Sequence, residues 1–394
     1  MKNLKPHLIL LFVLIPLSLF LSFYNISKHP AQLWDEETNI NVVNQSEKLL
    51  ELRLDDDYFF EKPPLWYWFT MGVTNIFGDN LISYRFISAI SGVGVMILCY
   101  LIANKLWGRK AGLISALSIM SVGHFYINNV SGYFSTHSFR SADLDSLQLF
   151  FIMAGILCYI NYKKKSTTKS QISHKINLYM TFVFSGLAVM TKGPLGLLPI
   201  IMLLIDHPKI SSVKKLSIPV VWEIVKKHHL IPFILFLIVV IPWHLIMYRN
   251  FGTDFINKYF IYHMVLRSTR IIEEHCEDIF FYTRMFINLK VFSLGIPTLW
   301  GIVYLFLNHK KINLGEKLAL AGILIPLIMF SLIPTKLAWY NLYIYPFVAL
   351  LIGYFSITKL DNKYINLTKT LLIFFSLVFG IAQNVSWVLS LSTL

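Results

Sequence analysis

Nine apolar runs, residues 7–24, 81–106, 111–129, 144–162, 230–248, 286–307, 318–334, 338–358 and 370–391, are each long enough to cross a hydrocarbon layer of about 30 Å as a helix. Lipid offers no partner to an unpaired backbone amide, so runs of this kind fold as helices and not as open sheets. Two shorter runs, 176–190 and 195–205, flank Thr191-Lys192-Gly193-Pro194 and read as a tight helical hairpin, for about eleven spans. A single re-entrant element at 176–205 would leave ten, with the same charges on either side. Only 14% of the 394 residues are charged and 56% are hydrophobic, against about 25% charged in soluble domains. The expectation is an all-α polytopic membrane protein forming one domain over residues 1–394, with no C-terminal soluble domain.

Lys2 and Lys5 precede the first apolar run, as they would in a secretion signal. No small-x-small cleavage site follows, so the run is expected to stay as an anchor. Basic residues concentrate on the cytoplasmic side of short loops. With the N-terminus inside, the inner segments hold 21 of the 35 basic residues but only 4 of the 21 acidic ones, a net of +17 against −3 outside. The overall charge of +14 is therefore a topology signal, and nucleic-acid binding drops out. The chain reads as an integral protein of the plasma (inner) membrane with a cytoplasmic N-terminus.

Of three cysteines, Cys99 and Cys158 fall within apolar runs and Cys276 alone is placed outside, so no disulfide framework is implied. There is no zinc-type Cys/His spacing and no Gly-rich phosphate loop, which speaks against a nucleotide cofactor.

The polar residues that do not suit a plain bundle gather on the outer side: Asp35, Glu36, Glu37, Glu61, Lys62, Arg85, Arg140, Asp143, Asp145, Lys192, Arg249, His263, Arg267 and Lys336. Ionisable groups at a membrane boundary are costly to keep for packing alone and mark a site. Each has a plainer reading. The acidic trio at 35–37 resembles the solvated Asp55-Asp56-Asp57, and Asp143 or Asp145 is well placed to cap a helix. Lys192, Arg267 and Lys336 can act as snorkelling anchors. The outer segments 25–80 and 249–285 are long, and stretches such as Tyr58-Phe59-Phe60 and Phe255 to Tyr262 suit helices lying in the interfacial plane. Together the two segments are expected to roof an active-site cavity.

The order of these motifs resembles the GT-C membrane glycosyltransferases. The series runs from the acidic pair through Phe60-Glu61-Lys62-Pro63-Pro64-Leu65-Trp66-Tyr67-Trp68, Arg140 to Asp145, Thr191-Lys192-Gly193-Pro194, Pro242-Trp243 and Tyr259-Phe260 to Arg267, ending at Lys336-Leu337-Ala338-Trp339-Tyr340. Within that superfamily it is most similar to the branch of protein O-mannosyltransferases and the lipid A aminoarabinose transferase, over roughly residues 1–358. The resemblance implies inverting transfer of a sugar from a polyprenyl-phosphate donor, of undecaprenyl-phosphate type, to a lipid, glycan or protein acceptor on the extracytoplasmic face. Lys62, Arg85, Lys192, Arg267 and Lys336 would hold the donor phosphate. By the same resemblance the general base would come from Glu36, Asp35 and Glu37. Glu36 keeps the family's spacing to Asn39 and is favoured, with Asp35 as the alternative in a shifted register. Arg140, Asp143 and Asp145 would orient the basic groups, and Glu61 with His263 would ligate a divalent metal ion. The competing reading is a transporter or flippase of a lipid-linked sugar, which should place its ionisable groups near mid-membrane on paired broken helices.

Overall fold

The computed structural model describes residues 8–127, 136–164, 171–206, 229–271, 277–288, 292–309 and 312–393. Lys2, Lys5, Lys165, Lys169, Lys209, Lys214, Lys215, Glu223, Lys226, Lys227, Lys310 and Lys311 of the inner-face count, and Cys276, expected on the outer side, lie outside the described residues.

After α1 (Leu10–Phe23) the chain builds a folded platform rather than a loop. It consists of α2 (Asp35–Gln45), an antiparallel hairpin of β1 (Arg53–Leu54) and β2 (Asp57–Tyr58), and α3 (Leu65–Phe77). Tyr58-Phe59-Phe60 is strand and extended chain, not the interfacial helix expected of it. Asp55 and Asp56 both take left-handed backbone (φ 51° and 65°), the two-residue turn that matches strand twist and pairs Arg53 with Tyr58. The amphipathic helix of this segment is α3, which buries Trp66, Tyr67 and Met71 and exposes Phe69, Ile76 and Phe77.

The bundle follows with α4 (Leu81–Trp107), α5 (Arg109–Met120), the single turn α6 (Gly123–Tyr126), α7 (Asp145–Lys163), α8 (Gln171–Lys192) and α9 (Pro194–Ile205). The run 111–129 is not one helix. It breaks after Met120, where Asn384 donates to the carbonyls of Met120 (2.9 Å) and Val122 (3.3 Å) and so satisfies the groups that the break frees. Between α8 and α9 the turn at Lys192-Gly193-Pro194 forms as expected, with Gly193 at φ 106°.

The long helix α10 (Leu230–Phe255) bends at Gly252 and continues as wide π-type turns, α11 (Ile256–Leu266), so the stretch Phe255 to Tyr262 is helical as expected. Next come α12 (Phe281–Ile287), α13 (Gly295–Leu307), α14 (Leu314–Leu332), α15 (Tyr345–Ile357) and α16 (Lys363–Ser390). The run 286–307 becomes a spanning helix only from Gly295.

Among the described residues six helices are long and apolar enough to cross a membrane, and the shorter apolar α1, α9 and α13 accompany them, which does not confirm the count of about eleven. Burial sorts the long ones. The segment Ala338–Ile357 is 78% buried and α7 72%, so these form the centre. The most apolar stretch of Leu230–Thr269 is only 22% buried and that of α16 28%, so these stretches face lipid. Small residues let the central helices touch: a Cβ on Gly353 would lie 2.1 Å from Ser115 Oγ, and that hydroxyl donates to Ala349 O at 2.8 Å.

Charges divide between the two ends of the bundle. At one end Lys163 pairs with Asp206 (2.6 Å) and Lys164 donates to Lys105 O (2.6 Å). At the other, Asp145 opens α7 and Lys192 closes α8.

Candidate active site

Three consecutive carboxylates open α2, where the exposed backbone N–H groups and the helix dipole favour negative charge. A helix turns about 100° per residue, so neighbours must part company. Asp35 faces a cavity, Glu36 is buried behind it and Glu37 is exposed on the far side.

Glu36 is fully consumed by the scaffold. Its Oε1 accepts from Arg85 Nε (2.7 Å) and Ala142 N (2.8 Å), and its Oε2 from Arg85 Nη2 (3.0 Å) and Gln32 N (2.8 Å). Arg85, with no exposed surface, spends its remaining donors on the carbonyls of Ile26, His29 and Pro30. Neither residue lines the cavity, so Glu36 as base and Arg85 as phosphate ligand do not fit this geometry. The pair ties α2, α4, the chain after α1 and the segment at Ala142 into one body.

Asp35 is placed differently. Its Oδ1 accepts from Lys62 Nζ at 2.5 Å and its Oδ2 lies 3.0 Å from His137 Nε2. Burial works to raise the Asp35 pKa, but the Lys62 ammonium, helped by His137 and Lys192, overrides it and holds the carboxyl well below its ordinary value. Lys62 is itself buried, and the same carboxylate outweighs that burial and keeps its pKa above the ordinary lysine value. Asn39 fixes the arrangement. Its Oδ1 accepts from Lys62 (3.3 Å) and Tyr67 (2.7 Å), while its Nδ2 donates to Ala142 O (2.9 Å) and Asp143 Oδ1 (3.3 Å).

On the opposite wall Asp145 binds His137 Nδ1 (2.5 Å), Lys192 Nζ (2.6 Å) and the Tyr343 hydroxyl (2.8 Å). Asp143 is buried and accepts from His137 N at 2.6 Å, closing the loop that carries the histidine. Arg140 donates to the carbonyls of Leu21 (2.7 Å) and Tyr24 (2.8 Å), capping the end of α1. These contacts tie the loop to α1.

Leu33, Trp34, Asp35, Lys62, Lys192 and Arg267 line a cavity of about 240 Å³, closed on the other side by Thr136, Leu337, Trp339 and Tyr340. Three of the five expected phosphate ligands meet here. Lys336 does not line it: its ammonium caps the C-terminal carbonyls of α14, donating to Phe330, Ser331 (2.8 Å) and Ile333. Glu61 and His263 face one another at 3.9 Å, also outside the cavity lining. They offer two donors, and among the described residues no group of three or more His, Cys, Asp or Glu is set to hold a metal.

A second cavity, of about 440 Å³, begins at Pro194, two residues from Lys192. Its walls are apolar, including Val189, Phe236, Val240, Ile256 and Met264, and its polar pair His244 and Tyr259 is joined at 3.2 Å.

Sequence reasoning missed His137, Tyr343 and the cavity role of Trp339 and Tyr340. The signal for His137 was the polar run Thr136-His137-Ser138 just ahead of Arg140.

A cation-rich cavity beside an apolar one, at one end of a polytopic helical bundle, suits a membrane enzyme that works on a lipid-linked phosphate. A family model for dolichyl-phosphate-mannose-protein mannosyltransferases matches residues 46–256, and the chain belongs to this family within the GT-C superfamily. It is 28% identical over 327 residues to an uncharacterized protein of Aquifex aeolicus, covering 82% of this chain and 67% of that one. It is also 28% identical over 371 residues to an undecaprenyl phosphate-alpha-4-amino-4-deoxy-L-arabinose arabinosyl transferase of Pseudomonas fluorescens, covering 91% of this chain and 58% of the relative. Its fold is similar to that of ArnT from Cupriavidus metallidurans bound to undecaprenyl phosphate, with a TM-score of 0.73 at 14% identity over 97% of this chain and 76% of ArnT. The archaeal oligosaccharyltransferase AglB from Archaeoglobus fulgidus matches at a TM-score of 0.59 and 14% identity, over 96% of this chain and 56% of AglB.

Proposed function

We propose that this glycosyltransferase moves a sugar from an undecaprenyl-phosphate-type donor to a lipid, glycan or protein acceptor on the extracytoplasmic face of the plasma membrane, with inversion at the anomeric carbon. The observation that carries the reading is the convergence of Lys62, Lys192 and Arg267 with Asp35 on one cavity, next to an apolar groove. The groove receives the polyprenyl chain and the cations receive the phosphate.

An acceptor oxygen attacks the anomeric carbon while the bond from that carbon to the phosphate oxygen breaks, and the lipid leaves as a phosphate monoester. The positive cluster stabilises the charge that develops on it. Where the acceptor is a hydroxyl, its proton passes to the Asp35 carboxylate. Held by its cations the Asp35 carboxylate is a weak base, and it gains basicity as the donor phosphate shares Lys62. Asp145 holds Lys192 on the far wall, and Tyr343 holds Asp145.

Glu61 and His263, facing one another at 3.9 Å, would supply two ligands to a divalent ion. Such an ion would add positive charge that favours a phosphate leaving group. Activity unchanged after stripping with a strong chelator counts against it.

In the orientation that places the Lys163 end of the bundle in the cytoplasm, the cavity opens outward, where lipid-linked rather than nucleotide-linked sugars are available. The test is incubation of the purified full chain in nanodiscs with radiolabelled undecaprenyl-phosphate-linked 4-amino-4-deoxy-L-arabinose or mannose and a panel of lipid A, glycan and peptide acceptors. Label should move to one acceptor class in a stoichiometric exchange for undecaprenyl phosphate. Translocation of the donor without transfer would overturn the proposal.

A further inference from the structure

His137 is held more tightly than any role in packing requires. It is one of five non-glycine residues with positive φ among the described residues, at 61°, a conformation that persists only where the surroundings impose it. Its N–H is tied to Asp143, and its ring, almost wholly buried, lies parallel to Trp339 at 4.2 Å and 14°. Both ring nitrogens face carboxylates: Nε2 is 3.0 Å from Asp35 Oδ2 and Nδ1 is 2.5 Å from Asp145 Oδ2. Ionised carboxylates only accept, so a ring satisfied on both sides donates twice and is an imidazolium.

The charges around it come from every packed element. Asp35 belongs to α2, Asp143 to the histidine's own loop and Asp145 to α7, while Lys192, at the end of α8, lies 3.4 Å from Nδ1. His124, in α6, is also within electrostatic range. Burial pushes the imidazole down, Lys192 adds to that, and Asp143 and Asp145 outweigh both, raising it to about 9.

Asp35 therefore has two cationic partners with different freedom. Lys62 donates to Oδ1 and to Asn39 from a four-carbon chain that also lines the cavity, where its ammonium can share a phosphate. His137 is a ring fixed on Oδ2 by backbone, stacking and Asp145. We infer that His137 is the positioning residue of the transfer reaction: it grips the Oδ2 edge of Asp35 so that Oδ1 alone is presented to the acceptor when the donor phosphate shares Lys62. The inference rests on the proposed base role of Asp35.

Two measurements on the full chain in nanodiscs test it. The first is turnover of undecaprenyl-phosphate-linked 4-amino-4-deoxy-L-arabinose by wild type and His137→Gln between pH 6 and 10. The variant should lose about a hundredfold in kcat, with KM for the donor changed less than about twofold. Wild-type kcat should fall above pH about 9 as the ring deprotonates, and the residual activity of the variant should lack that limb. A kcat within about threefold of wild type, or the same limb in the variant, overturns the inference. The second needs no turnover. In ¹⁵N-histidine spectra of the wild type at pH 7.5, one buried ring should be protonated on both nitrogens and lose this state when Asp35→Asn removes its partner. A neutral ring there, or a state insensitive to Asp35→Asn, overturns it. Absence of transfer by wild type would defeat the proposed function while leaving the spectra to decide the role of His137.

Discussion

The Glu36 carboxylate grips Arg85 with both oxygens, at 2.7 and 3.0 Å, and neither side chain has any exposed surface. The adjacent carboxylate, Asp35, faces the cavity. One step along α2 thus separates a structural acid from a chemical one. Removing one partner of a buried pair leaves the other charge stranded, at a cost of about 3–5 kcal/mol. Glu36→Gln should accordingly lower the thermal unfolding midpoint in detergent strongly. Protein that remains folded should still bind undecaprenyl phosphate near the wild-type level, which a fluorescence titration can check.

The lysines divide in the same way. Lys62→Ala and Lys192→Ala should each weaken undecaprenyl phosphate binding by about 1.5–3 kcal/mol, the range for hydrogen bonds to charged groups, and binding should fall with added salt. Lys336→Met should leave that affinity unchanged and lower stability instead, because its ammonium serves the last carbonyls of α14. Titration and unfolding of the same three proteins separate the two groups.

Stability should depend on pH in two windows. The His137 pKa is raised in the folded protein to about 9, so its contribution is complete below the ordinary histidine value near 6.5 and is lost as pH rises through about 9. The Asp35 pKa is lowered, so its contribution is present above the ordinary carboxyl value near 4 and is lost as pH falls below it toward the folded-state value. Unfolding midpoints across pH 3–10 should therefore peak between the two windows. His137→Gln should flatten the alkaline side and Asp35→Asn the acid side.

Fold class was legible because lipid permits so few ways to satisfy a backbone, and long apolar runs leave only helices. The breaks were not. Met120 ends a helix because Asn384, 264 residues later, feeds its carbonyl, and no local pattern announces that. Among the site residues, Lys62, Lys192 and Asp145 stood out as charges beside helix ends, and the structure brings all three to one cavity or its wall. Arg85, Arg140 and Lys336 carried the same signal in sequence but serve buried carbonyls and a carboxylate. Burial, which separates the two groups, depends on distant segments. The choice between Asp35 and Glu36 turned on a motif register, whereas the helical turn of α2 assigns one to the cavity and the other to Arg85.

The central claim is that Asp35 is the carboxylate of the transfer step. Its most direct measurement is single-turnover transfer from radiolabelled undecaprenyl-phosphate-linked sugar by wild type and Asp35→Asn, with undecaprenyl phosphate affinity measured in parallel. The account predicts a loss of about 10²–10⁴ in rate with donor affinity kept within a few-fold. An Asp35→Asn protein that transfers at the wild-type rate would contradict it.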